Sequence, residues 1–526
     1  MGRHHPVQAG SAHPRRDASG HRRLLPADQA GPGGRHQVHA HHRAHRPGAG
    51  QDPVPEIPAS GRLHDQALQD RRASRKRPER PFPPVPGQRL RAPPVPESAY
   101  DAIVVGAGPA GASAAIVMAR AGLKVALLER GEYPGAKNVQ GAVLYSRMLH
   151  EIVPDFWKLP DAPLERPIVE QKTCVTTEDS WLTFGYKSLK FLEGVPNCYT
   201  IIRARFDQWY AAQAEAAGAE LFCGVTVREV IRKDGRVAGI KTSDNDELES
   251  SVVLACDGVN SLLAQKAGFI DELKPVEVAL GAKEVIALDS GVIEDRFQLN
   301  AGEGSAMEMF GSISLGMLGY AFLYTNKESV SLGVGCRLCD YQARGIRPSD
   351  HLELVKRHPY IKKLISGGKI LEYSSHLIPE GGMKSLPPLF ADGFLVAGDA
   401  AQMTNPAFRE GSNLAMTAGR LAGETVIEAK RKGDFSAAGL GGYAGKLKSS
   451  YVLPDMEEVS DLEQAVASSP EFMTFYPKLA CDLAHLRYSV DGVPKREHLK
   501  RALKLLSRRG YWRMAKDLWP LRKAAL

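Results

Sequence analysis

Cysteine is too scarce and too scattered in this chain to build a framework. The seven cysteines, Cys174, Cys198, Cys223, Cys256, Cys336, Cys339 and Cys481, are odd in number and spread over 526 residues. That excludes a secreted disulfide scaffold and fits a reducing, cytoplasmic compartment. It also excludes an iron–sulfur site, which takes four Cys ligands in short spacings. The one C-x-x-C, Cys336-Arg-Leu-Cys339, has no second pair and no thioredoxin context, and reads as two incidental cysteines. Long apolar runs are missing as well. The longest uncharged stretch, 102–119, contains Gly106, Gly108, Pro109 and Gly111, which would break a spanning helix near its middle.

Lysine and large aliphatics are nearly absent from residues 1–98, which hold 17 Lys+Arg (one of them Lys), 8 Asp+Glu, 10 of the 16 His and 16 of the 35 Pro. This leader carries a net +9 in a chain of net +8, so residues 99–526 carry −1. The basic balance therefore belongs to the leader and does not point to nucleic acid. With no hydrophobic period and little to bury, 1–98 is expected to be disordered, or upstream sequence translated from GC-rich codons in an unselected frame. The other 428 residues suffice for two or three domains.

What is present begins at Tyr100-Asp-Ala-Ile-Val-Val-Gly-Ala-Gly-Pro-Ala-Gly111, a β-branched run followed by G-x-G-x-x-G. The pattern predicts a helix over 109–121 ending at Gly122, then a strand over 124–128 that ends at Glu129. Gly106 allows a tight turn, Gly108 lets the backbone approach a pyrophosphate, and Gly111 lets helix and strand pack closely. The helix N-terminus, with Pro109 and Ala110 in its first turn, favours an anion. Glu129, 18 residues past Gly111, stands where a carboxylate accepts from ribose hydroxyls. This motif alone does not separate FAD from NAD.

Two later segments decide for FAD. Ser251-Val-Val-Leu-Ala-Cys-Asp257-Gly258 reads as a strand ending in Asp-Gly, and Gly393-Phe-Leu-Val-Ala-Gly398-Asp399 as one ending in Gly-Asp. After the second, a turn leads into a helix near Gly411-Ser412-Asn413. A carboxylate at a strand end suits a ribityl hydroxyl. A helix N-terminus suits the isoalloxazine, which gains negative charge on reduction.

In this order and spacing the chain resembles the glutathione-reductase-like FAD flavoproteins of hydroxylase type, including geranylgeranyl reductases. Within them it is most similar to the FixC-type family related to electron-transfer flavoprotein–ubiquinone oxidoreductase. The resemblance covers 99 to the C-terminus. It is carried by 101–111, Leu128-Glu-Arg-Gly131 with Gly135-Ala-Lys-Asn138, Ile202-Arg-Ala-Arg-Phe-Asp-Gln-Trp209 and Ala255-Cys-Asp-Gly-Val-Asn-Ser261. Phe322-Leu-Tyr-Thr-Asn-Lys-Glu-Ser329, Leu371-Glu-Tyr-Ser374, Pro379-Glu-Gly-Gly382 and Gly398-Asp399 complete it.

The resemblance implies roles residue by residue. Gly106, Gly108 and Gly111 would hold the pyrophosphate, Glu129 and Arg130 the adenosine end, and Val225 adenine through its backbone. Arg203 would reach the phosphates or ribityl chain, and Asn138 and Gly141 would lie near the flavin ring. Asp257, Gly258, Gly398, Asp399, Gly411, Ser412 and Asn413 belong to the same expected FAD site. The family pattern has Gly-Cys-Lys-Asn where this chain has Gly135-Ala-Lys-Asn138, and many relatives differ after Gly398-Asp399. Roles for Gln402, Asn405 and Arg409 therefore stay open.

The expected architecture is an α/β, Rossmann-type FAD domain with an inserted antiparallel sheet. The FAD domain is expected to be discontinuous over 99–165, 198–272 and 387–430. A substrate or cap domain takes 166–197 and 273–386, and a helical basic region takes 431–526. Within the inserted sheet, 317–324 and 330–335 predict a hairpin with a four- or five-residue connection. Tyr320, Phe322 and Tyr324 share one face there, and core packing is preferred over a pocket for a planar acceptor. At the end, 495–526 holds 11 basic and two acidic residues, with Leu499, Leu503 and Leu506 on one helical stripe. Tyr511, Trp512 and Trp519 follow, types that favour an interface, so peripheral membrane contact or an acidic partner is expected.

One dinucleotide fingerprint leaves no second site for NADH, and no cluster cysteines are present, so electrons are expected to come from another protein. The resemblance implies the same. It describes an FAD subunit fed by an electron-transfer-flavoprotein-like pair, working with a small ferredoxin-like iron–sulfur protein, delivering to quinone, often in support of nitrogen fixation. No metal and no protein nucleophile are expected, because the flavin carries the chemistry. The expected location is cytoplasmic, with peripheral contact at the inner face of the cytoplasmic membrane. The alternatives are an isoprenoid-lipid (geranylgeranyl) reductase, a flavin aromatic hydroxylase, and a flavin-bearing scaffold.

Overall fold

The structure is a computed structural model and describes residues 100–137 and 141–524. The leader expected over 1–98, and Asn138, lie outside the described residues. In chain order the first strands are β1 (Tyr100–Val105), β2 (Val125–Glu129), β3 (Gly141–Tyr145), β4 (Leu164–Thr176), β5 (Trp181–Lys187) and β6 (Cys198–Ile202). Then come β7 (Glu220–Cys223), β8 (Val227–Lys233), β9 (Arg236–Thr242), β10 (Glu247–Ala255), β11 (Val278–Ala287) and β12 (Gly304–Gly311). The last are β13 (Gly319–Thr325), β14 (Ser329–Arg337), β15 (Lys369–Pro379), β16 (Phe390–Ala391) and β17 (Phe394–Val396).

The first sheet runs β16-β17-β10-β1-β2-β7, with β8 and β9 continuing from β10. β1 is parallel to both neighbours, and Ile103 lies between Ala126 and Val253. Strands covered on both faces need continuous apolar sequence, and β1 and β2 supply it: Ile103, Val104, Ala126 and Leu127 are wholly buried. Helix α1 (Pro109–Arg120) follows β1 as the glycine spacing predicts, with Gly122 in the left-handed region just past its end. Helix α2 (Arg203–Ala216) and the long helix α3 (Ser412–Lys432) also pack on α1.

The second sheet has the order β15-β11-β14-β13-β12-β4-β6-β3, with β5 on β4. β12 is parallel to β4, and the other pairs are antiparallel. β3 and β6, which fall in the segments 99–165 and 198–272, pair in this sheet and not beside β1. The cause is β4, which runs unbroken for 13 residues. Its start pairs with β6, the register shifts before Pro167, and the rest pairs with β12 and β5. Proline cannot donate to the ladder, and a shift there lets one strand serve two partners.

The hairpin of β13 and β14 forms with a connection of three residues, Asn326, Lys327 and Glu328, shorter than expected. Asn326 tightens it, its N–H donating to the Ser329 carbonyl at 2.8 Å and its side-chain amide to the Ser329 and Ser331 hydroxyls. Beneath the hairpin Arg166 is 1% exposed. Its guanidinium donates to the carbonyls of Asn326, Glu303 and Lys327, to the Ser290 hydroxyl and to Glu294 Oε1, all at 2.7–3.0 Å. A buried guanidinium is tolerable only when its donors are met in this way.

The C-terminal part is helical: α4 (Val452–Ser468), α5 (Phe475–Tyr488), α6 (Lys495–Ser507) and α7 (Tyr511–Leu518). His498 anchors α6, its ring nitrogens meeting the Leu486 carbonyl at 3.1 Å and Asp491 Oδ1 at 2.9 Å. Arg509 ties the α6–α7 turn to Asp517 and Glu471. Among the described residues, no helix is long and apolar enough to cross a membrane.

Candidate functional site: a dinucleotide cradle opening into an aromatic cavity

The site starts at the turn between β1 and α1. Gly106 has φ 104°, and a Cβ there would stand 2.2 Å from the Cys256 carbonyl oxygen. Only glycine fits that approach. A Cβ on Gly111 would lie 1.9 Å from the Gly106 carbonyl oxygen, so strand and helix meet at backbone distance. A Cβ on Gly108 would meet nothing, because this residue faces a cavity. Gly108 is also the N-cap of α1 and gives it no side-chain cap, which leaves the first N–H groups for an anion.

Glu129, at the end of β2, accepts from the backbone N–H of Gly131 at 2.7 Å and of Ala107 at 3.2 Å. Burial nevertheless pushes its carboxyl above the ordinary range. The Val225 N–H donates to the Glu129 carbonyl at 3.0 Å, which brings the start of 225–227 to the same wall.

Two further carboxylates stand half-buried at the cavity wall. Burial pushes Asp399 up to about 6, with the Arg203 charge opposing the rise. Burial likewise pushes Asp257 up to about 6, against the hydrogen bond from the Leu263 N–H. One oxygen of Asp257 and the side-chain oxygen of Asn413 are buried without a protein partner. Buried polar atoms left open in this way suit a polar ligand. Arg203 itself is clamped by Asp207, Nε to Oδ1 at 2.6 Å and the second nitrogen to Oδ2 at 2.8 Å.

Most of the residues expected from sequence share this one cavity. Gly106, Gly108, Pro109, Ala110, Glu129, Arg130, Arg203, Val225, Asp257, Gly258, Asp399, Gly411 and Ser412 line it. Gly111 and Gly398 stand behind the wall against Gly106 and Ala110. Asn413 follows Ser412 in the first turn of α3, and Gly141 pairs with Ile202 at the start of β3. Asn405 and Arg409, whose roles the sequence left open, line the cavity too.

The cavity measures about 1170 Å³. Pockets for a single drug-sized ligand measure roughly 300–1,000 Å³, so this one is large. Tyr320, Phe322 and Tyr324 line it, and Tyr324, with Phe322 against it, also packs in a small core cluster with Ile168, Cys198 and Ala306, so this face is core and wall at once. Phe322 and Tyr324 stack at 4.9 Å, and Phe310 and Tyr320 lie tilted to one another at 5.6 Å, forming a ladder along the sheet face. Beyond it an apolar arm continues between Met473, Leu483, Met514, Leu518 and Leu521.

Sequence reasoning missed Tyr145, Glu308 and His376, which also line the cavity. Glu308 did leave a signal: it is the only charge in the apolar strand Gly304–Gly311 and shares a face with Ala306 and Phe310. Cys336 and Cys339 form no disulfide, and burial pushes both thiols up, so neither is a reactive thiolate.

A mainly parallel sheet whose first turn suits a pyrophosphate, with half-buried carboxylates further along and a second sheet over the cavity, is the arrangement of an FAD-dependent oxidoreductase. Residues 101–268 match the family model FAD dependent oxidoreductase, and 463–526 match the ETF-QO/FixC family C-terminal domain. The chain is 46% identical over 417 residues to Protein FixC of Azorhizobium caulinodans, covering 78% of this chain and 95% of that one. To Protein FixC of Escherichia coli K12 it is 41% identical over 423 residues, covering 80% and 98%. The chain belongs to the FixC family, and its cofactor is FAD.

Solved structures share the fold. A geranylgeranyl bacteriochlorophyll reductase-like protein of Thermoplasma acidophilum superposes with TM-score 0.62 at 22% identity, covering 80% of this chain and 99% of that one. The flavin-dependent brominase Bmp2 does so with TM-score 0.55 at 16% identity, covering 78% and 100%.

Proposed function

We propose that this chain is the FAD subunit of an electron-transfer assembly that takes electrons from an electron-transfer-flavoprotein-like pair and passes them to quinone. A small ferredoxin-like iron–sulfur protein works beside it, and the assembly supports nitrogen fixation. The observation that carries the reading is the continuity of one cavity. It runs from the glycine turn, past the aromatic ladder, to the C-terminal helices whose outer faces expose Trp512 and Trp519. A planar ring suits the ladder, and a long isoprenoid tail suits the apolar arm.

Bound in the cradle, FAD supplies the reversible two-electron chemistry. The N-terminus of α1 and the open face of Gly108 hold the pyrophosphate. Glu129 with Arg130 takes the ribose, since a carboxylate has about four lone-pair sites and two backbone donors leave some open. The backbone at Val225 meets adenine. Asp399, with Arg203 behind it, takes a ribityl hydroxyl. The uncapped start of α3 at Gly411 and Ser412 would face the isoalloxazine, where it would favour the negative charge gained on reduction.

The exposed aromatics and the basic face of α6 suit peripheral contact at the inner face of the cytoplasmic membrane, where a quinone tail enters the arm. Stopped-flow bleaching of the flavin band tests the reading. A reduced electron-transfer-flavoprotein pair should bleach it quickly, NADH alone slowly, and added quinone should restore it. Rapid bleaching by NADH without a partner overturns the proposal. Saturation of geranylgeranyl lipid in place of quinone turnover identifies the chain as an isoprenoid reductase.

A further inference from the structure

Arg409 stands on the loop between β17 and α3 in the left-handed region, at φ 61°. That conformation is uncommon for a long side chain and persists where the surroundings fix it. Here they do. Asn405 and Glu410 exchange backbone hydrogen bonds at 2.8 and 3.0 Å, closing the loop around Arg409. Across the cavity its guanidinium is ion-paired with Glu308 of β12 and donates to the Gln171 amide oxygen of β4 at 3.3 Å. The Glu308 side chain is 3% exposed and that of Arg409 25%. The loop that precedes the flavin helix is thus bonded to the sheet that carries the aromatic ladder.

A guanidinium has five N–H donors, and these two partners do not use them all. The charge nevertheless sits in a wall of rings: Tyr145, Tyr320, Phe322 and Tyr324 line the same space. Arg409 also pulls the Tyr145 phenol down against the burial that raises it to about 12. Glu308 balances the charge, and the donors left over belong to a side chain that lines the cavity.

We propose that Arg409 recognises the electron acceptor, donating to a carbonyl oxygen of a planar ring that lies along the Tyr320–Phe322–Tyr324 ladder. Glu308 is the positioning residue that aims it. The inference rests on the quinone reading and narrows it to acceptors with a ring carbonyl. An isolated isoprenoid double bond offers no lone pair to the guanidinium.

The test is binding to the oxidised, FAD-loaded full chain, where no turnover occurs. A benzoquinone with one isoprenyl unit and the isoprenoid hydrocarbon farnesene are titrated separately, followed by flavin absorbance and tryptophan fluorescence. Arg409→Met alone would strand the buried Glu308 carboxylate, so Arg409→Met is combined with Glu308→Gln and compared with Glu308→Gln alone. Loss of one charge-assisted hydrogen bond predicts benzoquinone binding weakened roughly 10- to 150-fold in the double variant, with farnesene binding unchanged. Should the double variant lose FAD, Arg409→Lys carries the test. It keeps the charge and loses the planar fork, so weaker benzoquinone binding at wild-type FAD content is expected. Benzoquinone binding within twofold of wild type in either FAD-loaded variant overturns the role of Arg409 and leaves the quinone reading standing. A wild-type chain that takes farnesene and no benzoquinone overturns both.

Discussion

A side chain on Gly419 would stand 2.0 Å from the carbonyl oxygen of Ala110, because helices α3 and α1 cross there at backbone distance. One turn on, a Cβ at Gly423 would lie 3.0 Å from the Ala114 carbonyl oxygen. This contact sets the uncapped N-termini of both helices at one cavity, the first at the pyrophosphate turn and the second at Gly411.

Gly419→Ala is therefore expected to push the two helices apart. Overpacking of a close contact costs about 1–3 kcal/mol. Thermal melting and the flavin-to-protein absorbance ratio should both fall. A wild-type melting temperature with full FAD content would show that the helices separate without cost.

Asp399→Ala removes the proposed acceptor of a ribityl hydroxyl. A hydrogen bond to a charged group contributes roughly 1.5–3 kcal/mol, so FAD should bind about 10- to 150-fold more weakly. Equilibrium dialysis of FAD measures this directly. Unchanged retention removes Asp399 from the site.

Asp399 also predicts a pH dependence. In the FAD-free fold its carboxyl titrates near 6, above the ordinary 3.8, because it is buried. Between these values the folded chain holds a proton that the unfolded chain releases. The stability this group contributes is full below 3.8 and is lost as pH rises through 6. Asp399→Asn cannot titrate. The melting temperature of FAD-free wild type minus that of Asp399→Asn should therefore fall between pH 4 and pH 7. A flat or rising difference contradicts the assigned burial effect.

The C-terminal helices carry the surface prediction. Leu499, Leu503, Tyr511, Trp512 and Trp519 are exposed on a segment with 11 basic residues over 495–526. Each basic residue near an anionic bilayer contributes about 1 kcal/mol. The full chain should sediment with anionic liposomes at low salt and release at high salt, and Trp512→Ser with Trp519→Ser should weaken that binding. Sedimentation unaffected by both substitutions would mark these residues as a solvated face.

The nucleotide half was legible in the sequence because its constraints are local. A strand, a glycine turn, a helix and a carboxylate within 30 residues state their own geometry, and Gly398-Asp399 states a second strand end. The acceptor half was less so. Glu308, Gln171 and Arg409 meet through strand order and register, and nothing near any of them in the chain names the others. The placement of β3 and β6 turned on a register shift beside Pro167. The Tyr320 face was legible as a face, but whether it meets core or cavity depends on what lies opposite.

Arg166 adds a consequence in time. Every group its guanidinium bonds lies 124 to 161 residues further along the chain. At roughly 5–20 residues per second of synthesis, β4 waits roughly 6–30 s for those partners, while β1, α1 and β2 already have one another. The sheet that shelters the acceptor therefore cannot lock until Lys327 has left the ribosome, and the cradle for FAD begins to form before the chamber that faces it.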